Sequence, residues 1–260
     1  MIRAVNLLQL IAFLLLIYIS GVSLYSGAEN LGYNWQWYRI PRYLIIDGDE
    51  GLMLGPLLQG GLVTVKIAIC ALFISLAIGL VTALLRLSVS PMGQLIANSY
   101  LETIRNTPLL VQIFVVYFVF APVFNIDRFT SAVLALSLFE GAYASEIIRS
   151  GILAIPRGQW EASRALGFSM MHCYRYIVLP QAIRKITPPL TSQSISLIKD
   201  SALVSTIAIF DLTMRGQQIV AETFLTFEIW ITVALIYLFL TLVMSGIVRI
   251  LEWRLIDCKL

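Results

Sequence analysis

Gly158-Gln159-Trp160-Glu161-Ala162-Ser163-Arg164-Ala165-Leu166-Gly167, with Ile177-Val178-Leu179-Pro180 further on, is the stretch on which the reading of this chain turns. It reads as a short helix with a marked start and stop. Pro156 and Gly158 precede it, and Glu161 is expected in its first turn, where the helix dipole favours an anion. Gly167 is placed as the left-handed cap. A second short helix is expected to start at Ser169 and stop near Pro180, because proline lacks an N–H and crowds the preceding turn. A helix of about two turns is not stable alone in water. It needs a surface to pack on, and Ala162, Ser163 and Ala165 offer a small face suited to close approach. These signals fit two readings: a rigid docking element, and an ordinary inter-helix loop lying on a bilayer.

Outward from this polar loop the chain is apolar. It is 59% hydrophobic and 13% charged over 260 residues, with mean hydropathy +0.86. A soluble domain of this length carries far more charge. A membrane span takes roughly 20 apolar residues, and six candidates follow: Leu7 to Tyr25, Gly60 to Leu85, Leu109 to Phe124, Thr130 to Ile148, Pro189 to Phe210, and Phe227 to Ile250. The expected fold is all-α, a polytopic membrane helix bundle with about six transmembrane helices. The aromatic stretch Ser26 to Leu58, with Trp35, Trp37 and Tyr38, is expected either to anchor at the interface or to dock an external partner.

Alternating spans place Arg3, Arg86, Arg105, the cluster Arg149, Arg157, Arg164, Arg175, Arg184 and Lys185, and Arg249, Arg254 and Lys259 on one side. The other side receives only Arg39, Arg42, Arg128 and Arg215. Basic loops stay inside, so both termini and the long basic loop are expected on the cytoplasmic side of the membrane. Arg3, an apolar run and Ser26-Gly27-Ala28 also fit a signal peptide. The run exceeds the usual ~7–15 residue core of such a peptide, which favours a retained helix.

Several chemistries lack their residues. Cys70, Cys173 and Cys258 are scattered without metal spacing, and His172 is the only histidine, so no metal or catalytic site is expected. Basic residues punctuate apolar runs instead of forming a stripe, which argues against nucleic acid. None of Lys66, Lys185, Lys199 and Lys259 follows a glycine, so no phosphate-binding P-loop is present and ATP hydrolysis is expected from a separate chain.

Charge inside a membrane is costly and usually faces a cavity or the bundle interior. Glu140, Lys199 and Asp200 are therefore candidates for a substrate pathway or for buried structural pairs, with Tyr143, Gln193 and Ser196 as polar neighbours. Lys66 lies nearer an interface, where it can snorkel.

The Glu161–Pro180 spacing resembles the EAA loop of type I ABC importer permeases: Glu-Ala-Ala, three residues, Gly, nine residues, Ile, one residue, Leu-Pro. Glu161, Ala162, Gly167, Ile177, Leu179 and Pro180 match, and Ser163 stands for the second alanine. Glu102-Thr-Ile-Arg105-Asn-Thr-Pro108-Leu-Leu-Val-Gln112, Ala142-Tyr143-Ala-Ser-Glu146-Ile-Ile-Arg149-Ser-Gly151 and Leu197-Ile-Lys199-Asp200-Ser201-Ala-Leu203 resemble segments of the polar amino-acid branch, the histidine-, glutamine- and glutamate-type permeases. Thr107-Pro108 also reads as an N-cap followed by proline at the first helical position.

The resemblance covers about Leu57 to Leu251. It implies a five-helix core over 57–252 with a coupling loop at 149–185, preceded by an N-terminal helix and periplasmic segment over 1–56 and followed by a tail over 253–260. It implies a pore shared with a second permease, either another copy or a relative. It also implies ATPase subunits that bind ATP and Mg, a periplasmic solute-binding protein, and ATPase coupling through Glu161, Ala162, Ser163, Ala165, Gly167, Leu179 and Pro180. An ion-driven secondary transporter is the competing expectation, although such folds often show internal repeats that are not evident here. An intramembrane enzyme would need a histidine-based or paired-aspartate centre.

Overall fold

A computed structural model describes residues 2–30, 32–48 and 51–257. Cys258 and Lys259, in the expected tail, lie outside the described residues. The chain divides into two compact units, Met1–Ile40 and Pro41–Leu260.

The first unit holds α1 (Ile2–Asn30) and a single tight turn, Trp37–Arg39. Here the aromatic stretch forms a cluster. The Trp35 ring stacks on Tyr25 at 6.1 Å and on Trp37 at 5.9 Å, and meets Tyr33 edge-on at 5.4 Å.

The second unit opens with α2 (Pro41–Leu44) and an antiparallel hairpin, β1 (Ile45–Gly48) and β2 (Gly51–Leu54), with Ile45 opposite Leu54. The hairpin returns the chain to its own start, where the Gly55 N–H donates to the Leu44 carbonyl at 2.7 Å. A Cβ on Gly55 would stand 2.4 Å from the Tyr43 carbonyl oxygen. This fold-back ties residues 41–55 to the core, so the compact division falls earlier than residue 56.

Next come α3 (Pro56–Leu87), α4 (Pro91–Arg105), α5 (Leu109–Phe114), a π-helical stretch Val115–Phe120, α6 (Ala121–Phe124) and α7 (Arg128–Leu153). The basic loop carries α8 (Arg157–Ala165) and α9 (Met170–Cys173), and beyond it stand α10 (Leu179–Asp200), a 3₁₀ stretch Ser201–Ile207, α11 (Leu212–Thr223) and α12 (Thr226–Asp257). Of the six expected spans, Gln9–Gly27, Pro56–Leu87, Arg128–Leu153 and Thr226–Ile250 are each long and apolar enough to cross a membrane. The third expected span is shorter than required: Leu109 to Phe124 covers about 24 Å at the α-helical rise, against a hydrocarbon core of ~30 Å. It qualifies only together with α4, which it meets at 108°.

That corner corrects the expected cap. Pro108, not Thr107, occupies the N-cap position of α5. The Thr107 hydroxyl is committed to the Thr103 carbonyl at 2.9 Å, and Gln112 Nε2 donates to the Ile104 carbonyl, the Thr107 carbonyl and Thr107 Oγ1 at 2.7, 3.0 and 2.8 Å. The glutamine staples the bend.

The fifth expected span is not among the helices long and apolar enough to cross, and its helix starts earlier, at Leu179. α10 runs unbroken through Pro188 and Pro189. Each proline forfeits a backbone bond, but nearby hydroxyls and packing hold the turn. Thr187 donates to the Ile183 carbonyl and Thr191 to the Pro188 carbonyl, both at 2.7 Å, and α10 packs against both α7 and α12.

The core is a seam of small residues between α3 and α7. A Cβ on Gly79 would meet Ala144 Cβ at 2.8 Å, and one on Gly141 would meet Ile78 Cγ2 at 2.9 Å. Ser137 adds a hydroxyl bond to the Ala71 carbonyl at 3.3 Å. Close backbone approach at small residues is how helices pack where lipid removes the hydrophobic drive. Ile67, Leu136, Ile113, Leu197 and Val204 fill the core beside it. On the far side from the basic loop, buried Asp211 caps α11 by accepting the Met214 N–H at 2.8 Å. Burial pushes its carboxyl up to about 6, against the lowering effect of the backbone bonds.

Candidate functional site

The loop after α7 folds as two short helices locked to the bundle. α7 ends at Leu153, and Lys185 Nζ donates to the freed Ala154 carbonyl at 2.6 Å, a cation placed at a helix C-terminus. Pro156, extended at ψ 138°, turns the chain directly into α8 (Arg157–Ala165). The helix thus begins earlier than expected. Gly158 lies within its first turn and Glu161 in its second, so the dipole argument for Glu161 does not hold.

The stop is as expected and complete. Gly167 has φ +79°, its N–H donates to the Arg164 carbonyl at 2.9 Å, and the Phe168 N–H donates to the Ser163 carbonyl at 3.1 Å. These are the two bonds of a Schellman cap. Ser169 caps α9 (Met170–Cys173) as expected, accepting the His172 N–H at 3.4 Å. The His172 ring is engaged by Ser169 Oγ at 2.7 Å and stacks on Tyr176.

α9 does not stop at Pro180. It passes through a π-helical stretch, Tyr174–Val178, into α10. The wider turn relieves the clash that the Pro180 ring would make in a regular α-helix.

The small face divides in two. Ser163 is fully buried, donating to the Trp160 carbonyl at 2.9 Å and lying 2.9 Å from Cys173 Sγ. Trp160 meets Tyr174 edge-on at 5.0 Å, and Ile152, Ile155, Cys173, Val178 and Ala182 close the cluster. Ser163 therefore belongs to the attachment, and not to the free surface as expected. Its helical phase follows from Trp160, which sits three residues earlier on the same face. Glu161, Ala162 and Ala165 are exposed, as are Leu179, Leu166 at 75% and Met171 at 76%, while Pro180 is half-buried. An apolar surface beside a capped helix suits contact with a protein or with the membrane.

The pathway candidates separate likewise. Glu140 on α7 is buried, and its Oε2 accepts from Gln193 Nε2 on α10 at 2.6 Å; its Oε1 has no hydrogen-bond donor among the described residues. Asp200 is close enough to interact with the same carboxyl. Glu140, Gln193 and Asp200 are thus brought together. Lys199 is exposed and makes no ion pair among the described residues, and Ser196 is half-buried on α10. Tyr143 stands one turn along α7, against Phe139 at 5.0 Å, with the Arg105 guanidinium 5.8 Å from its ring centre. Lys66 is exposed on α3.

Two contacts were not legible beforehand. Glu146 holds both Arg86 of α3 and, at 2.6 Å, Arg149 of its own helix. Its place in the quoted motif, one turn before Arg149, was the only signal. Cys173 is a buried partner of Ser163, a pairing that no spacing announced.

Residues 75–257 match the family model described as "Binding-protein-dependent transport system inner membrane component". The chain is 41% identical over 202 residues to the glutamine transport system permease protein GlnP of Escherichia coli (strain K12), covering 76% of this chain and 92% of that one. It is 41% identical over 204 residues to the L-cystine transport system permease protein TcyB of Bacillus subtilis (strain 168), covering 77% and 87%. Among solved structures, an amino acid ABC transporter crystallised with histidines superposes with TM-score 0.71 at 39% identity, over 76% of this chain and 94% of that one. The inward-facing MetNI methionine ABC transporter shares the fold, with TM-score 0.66 at 20% identity over 76% and 96%.

Proposed function

The chain belongs to the family of binding-protein-dependent transport system inner membrane components, and from that premise we propose that it is the membrane permease subunit of an ABC importer for polar L-amino acids. The observation that carries the reading is α8. It is capped at its C-terminus, fastened to the inner bundle through Trp160 and Ser163, and exposed at Glu161, Ala162, Ala165 and Leu166.

In this mechanism α8 sits in a groove on a separate ATPase subunit that binds ATP and Mg. Ala162 and Ala165 permit close approach, and Glu161 supplies a charge-assisted hydrogen bond to the groove. Gly167 holds the helix end in shape. Closure of the ATPase dimer moves α8, and the Ser163–Cys173 and Trp160–Tyr174 contacts pass that motion to α7 and α10. The bundle then shifts between inward- and outward-facing states, a two-state equilibrium biased by nucleotide. A second permease, identical or related, completes the pore, and a periplasmic solute-binding protein delivers the cargo from the opposite side. Both termini and the basic loop lie in the cytoplasm, in keeping with the charge asymmetry. Glu140, Gln193 and Asp200 line the path and present carboxyl and amide groups to an ammonium. The glutamine and cystine named for the relatives support a polar amino acid as substrate. Nothing among the described residues favours an ion-driven carrier.

The test is co-purification with an ATPase subunit, followed by ATP-driven uptake of amino acids into vesicles supplied with the binding protein. Glu161→Lys is expected to abolish uptake while leaving the permease folded. Full uptake by Glu161→Lys would falsify the coupling role.

A further inference from the structure

A second polar site stands apart from the Glu140 cluster. The end of α3, the last two turns of α4 and the middle of α7 line an open cavity of about 290 Å³, bordered by Arg86, Asn98, Glu102, Arg105, Asn106 and Tyr143. That volume lies near the small end of the ~300–1,000 Å³ range of small-molecule sites. The charges in it are unequally committed. Arg86 is tied to Glu146, which also holds Arg149. Arg105 makes no ion pair among the described residues, and its guanidinium lies 5.8 Å from the Tyr143 ring centre. Glu102, three residues earlier on α4, has the spacing to pair with Arg105. It accepts instead from Asn106 Nδ2 at 2.9 Å.

One cavity therefore presents a two-pronged guanidinium, the donor shaped for a carboxylate, and a separate carboxylate. A simple anion meets the Glu102 charge, and a simple cation meets Arg86 and Arg105. A zwitterion suits both ends. We propose that this cavity binds the head group of an α-amino acid, its carboxylate on Arg105 and its ammonium on Glu102. The inference rests on the amino-acid transport reading and adds a subsite at the basic end of the bundle, which that reading places at the cytoplasmic exit. Occupancy from inside stabilises whichever bundle state holds the cavity open. Accumulated product thereby restrains further import, to the extent that it binds one state better than the other.

The permease is purified in nanodiscs with its co-purifying subunits. Vesicle uptake across the standard amino acids and L-cystine first identifies the cargo. Finding no amino-acid uptake removes the transport reading and this proposal with it. Equilibrium binding of the radiolabelled cargo, without binding protein, then tests the cavity. Arg105→Gln and Glu102→Gln are each expected to weaken binding about tenfold, equal to ~1.4 kcal/mol. The N-acetyl and methyl-ester forms of the cargo, each lacking one charge, should compete at least about tenfold less well than the parent on the same scale. If Arg105→Gln does not purify, Arg105→Lys takes its place and must also weaken binding, because an ammonium is not a two-pronged donor. Binding unchanged in these variants but lost in Glu140→Gln overturns the proposal and leaves the transport reading standing. Undiminished competition by the N-acetyl form, the sign of an anion site, overturns it too.

Discussion

Substitution at Gly167 separates backbone conformation from contact. Gly167 sits at φ +79°, and a Cβ built there meets nothing within 4 Å. Alanine is therefore penalised by conformation alone, by about 1–2 kcal/mol for an L-residue forced left-handed. Asparagine visits that region more readily and should lose less, while valine, stiff at its branched Cβ, should lose most. α8 has only nine residues, and its end depends on the 2.9 and 3.1 Å bonds closed around Gly167. A loss of ~1.4 kcal/mol lowers the capped population about tenfold relative to frayed forms. The assay is ATP-driven uptake in vesicles, read beside the melting temperature in detergent. Uptake should fall in the order glycine, asparagine, alanine, valine, with melting nearly constant because the opening is local. Equal uptake by all four, or asparagine as damaging as valine, refutes the reasoning.

Three further outcomes follow from the packing. Gly79→Ala drives a methyl to 2.8 Å from Ala144 Cβ and 3.1 Å from the Gly141 carbonyl, so it should cost about 1–3 kcal/mol, measured by thermal unfolding. Ser163→Ala loses only the bonds to Trp160 and Cys173 and should cost about 0.5–1.5 kcal/mol; Ser163→Leu overfills the same buried site and should prevent coupled uptake. Asp211 titrates at about 6 in the fold, above its unfolded value of roughly 3.9. Its contribution to stability is thus full below pH ~4 and is lost as pH rises through 6, by up to ~3 kcal/mol. Asp211→Asn can still accept the Met214 N–H and should remove that slope, so parallel melting curves for the two proteins from pH 4 to 7 would sink the assignment.

The coupling loop was legible where its signals were local. A glycine in the left-handed region and a serine at an N-cap act through their own backbone, and Gly167 and Ser169 fold as expected. The start of α8 was not so, because Pro156 sets it and places Glu161 a turn deeper. Which way Ser163 points depends on Trp160 finding Tyr174 across the loop, information that no single helix carries. Pro180, Pro188 and Pro189 look like breaks by local rule. The widened turn at Tyr174–Val178 and packing of α10 between α7 and α12 override it. Glu140 was visible as a charge at membrane depth, but its bond to Gln193 depends on where two distant helices cross.

The glycine seam has a mechanical corollary. With no room for a Cβ at Gly79 or Gly141 against the facing helix, α3 and α7 have little slack in which to slide, and they behave as one stiff strut. Flexure has to be absorbed elsewhere. Along α10 and its approach, the backbone ladder is already interrupted at the Pro188–Pro189 pair and at the widened turn beneath it. α10 is thus the compliant member, and α8 joins its lower end through α9 and that widened turn.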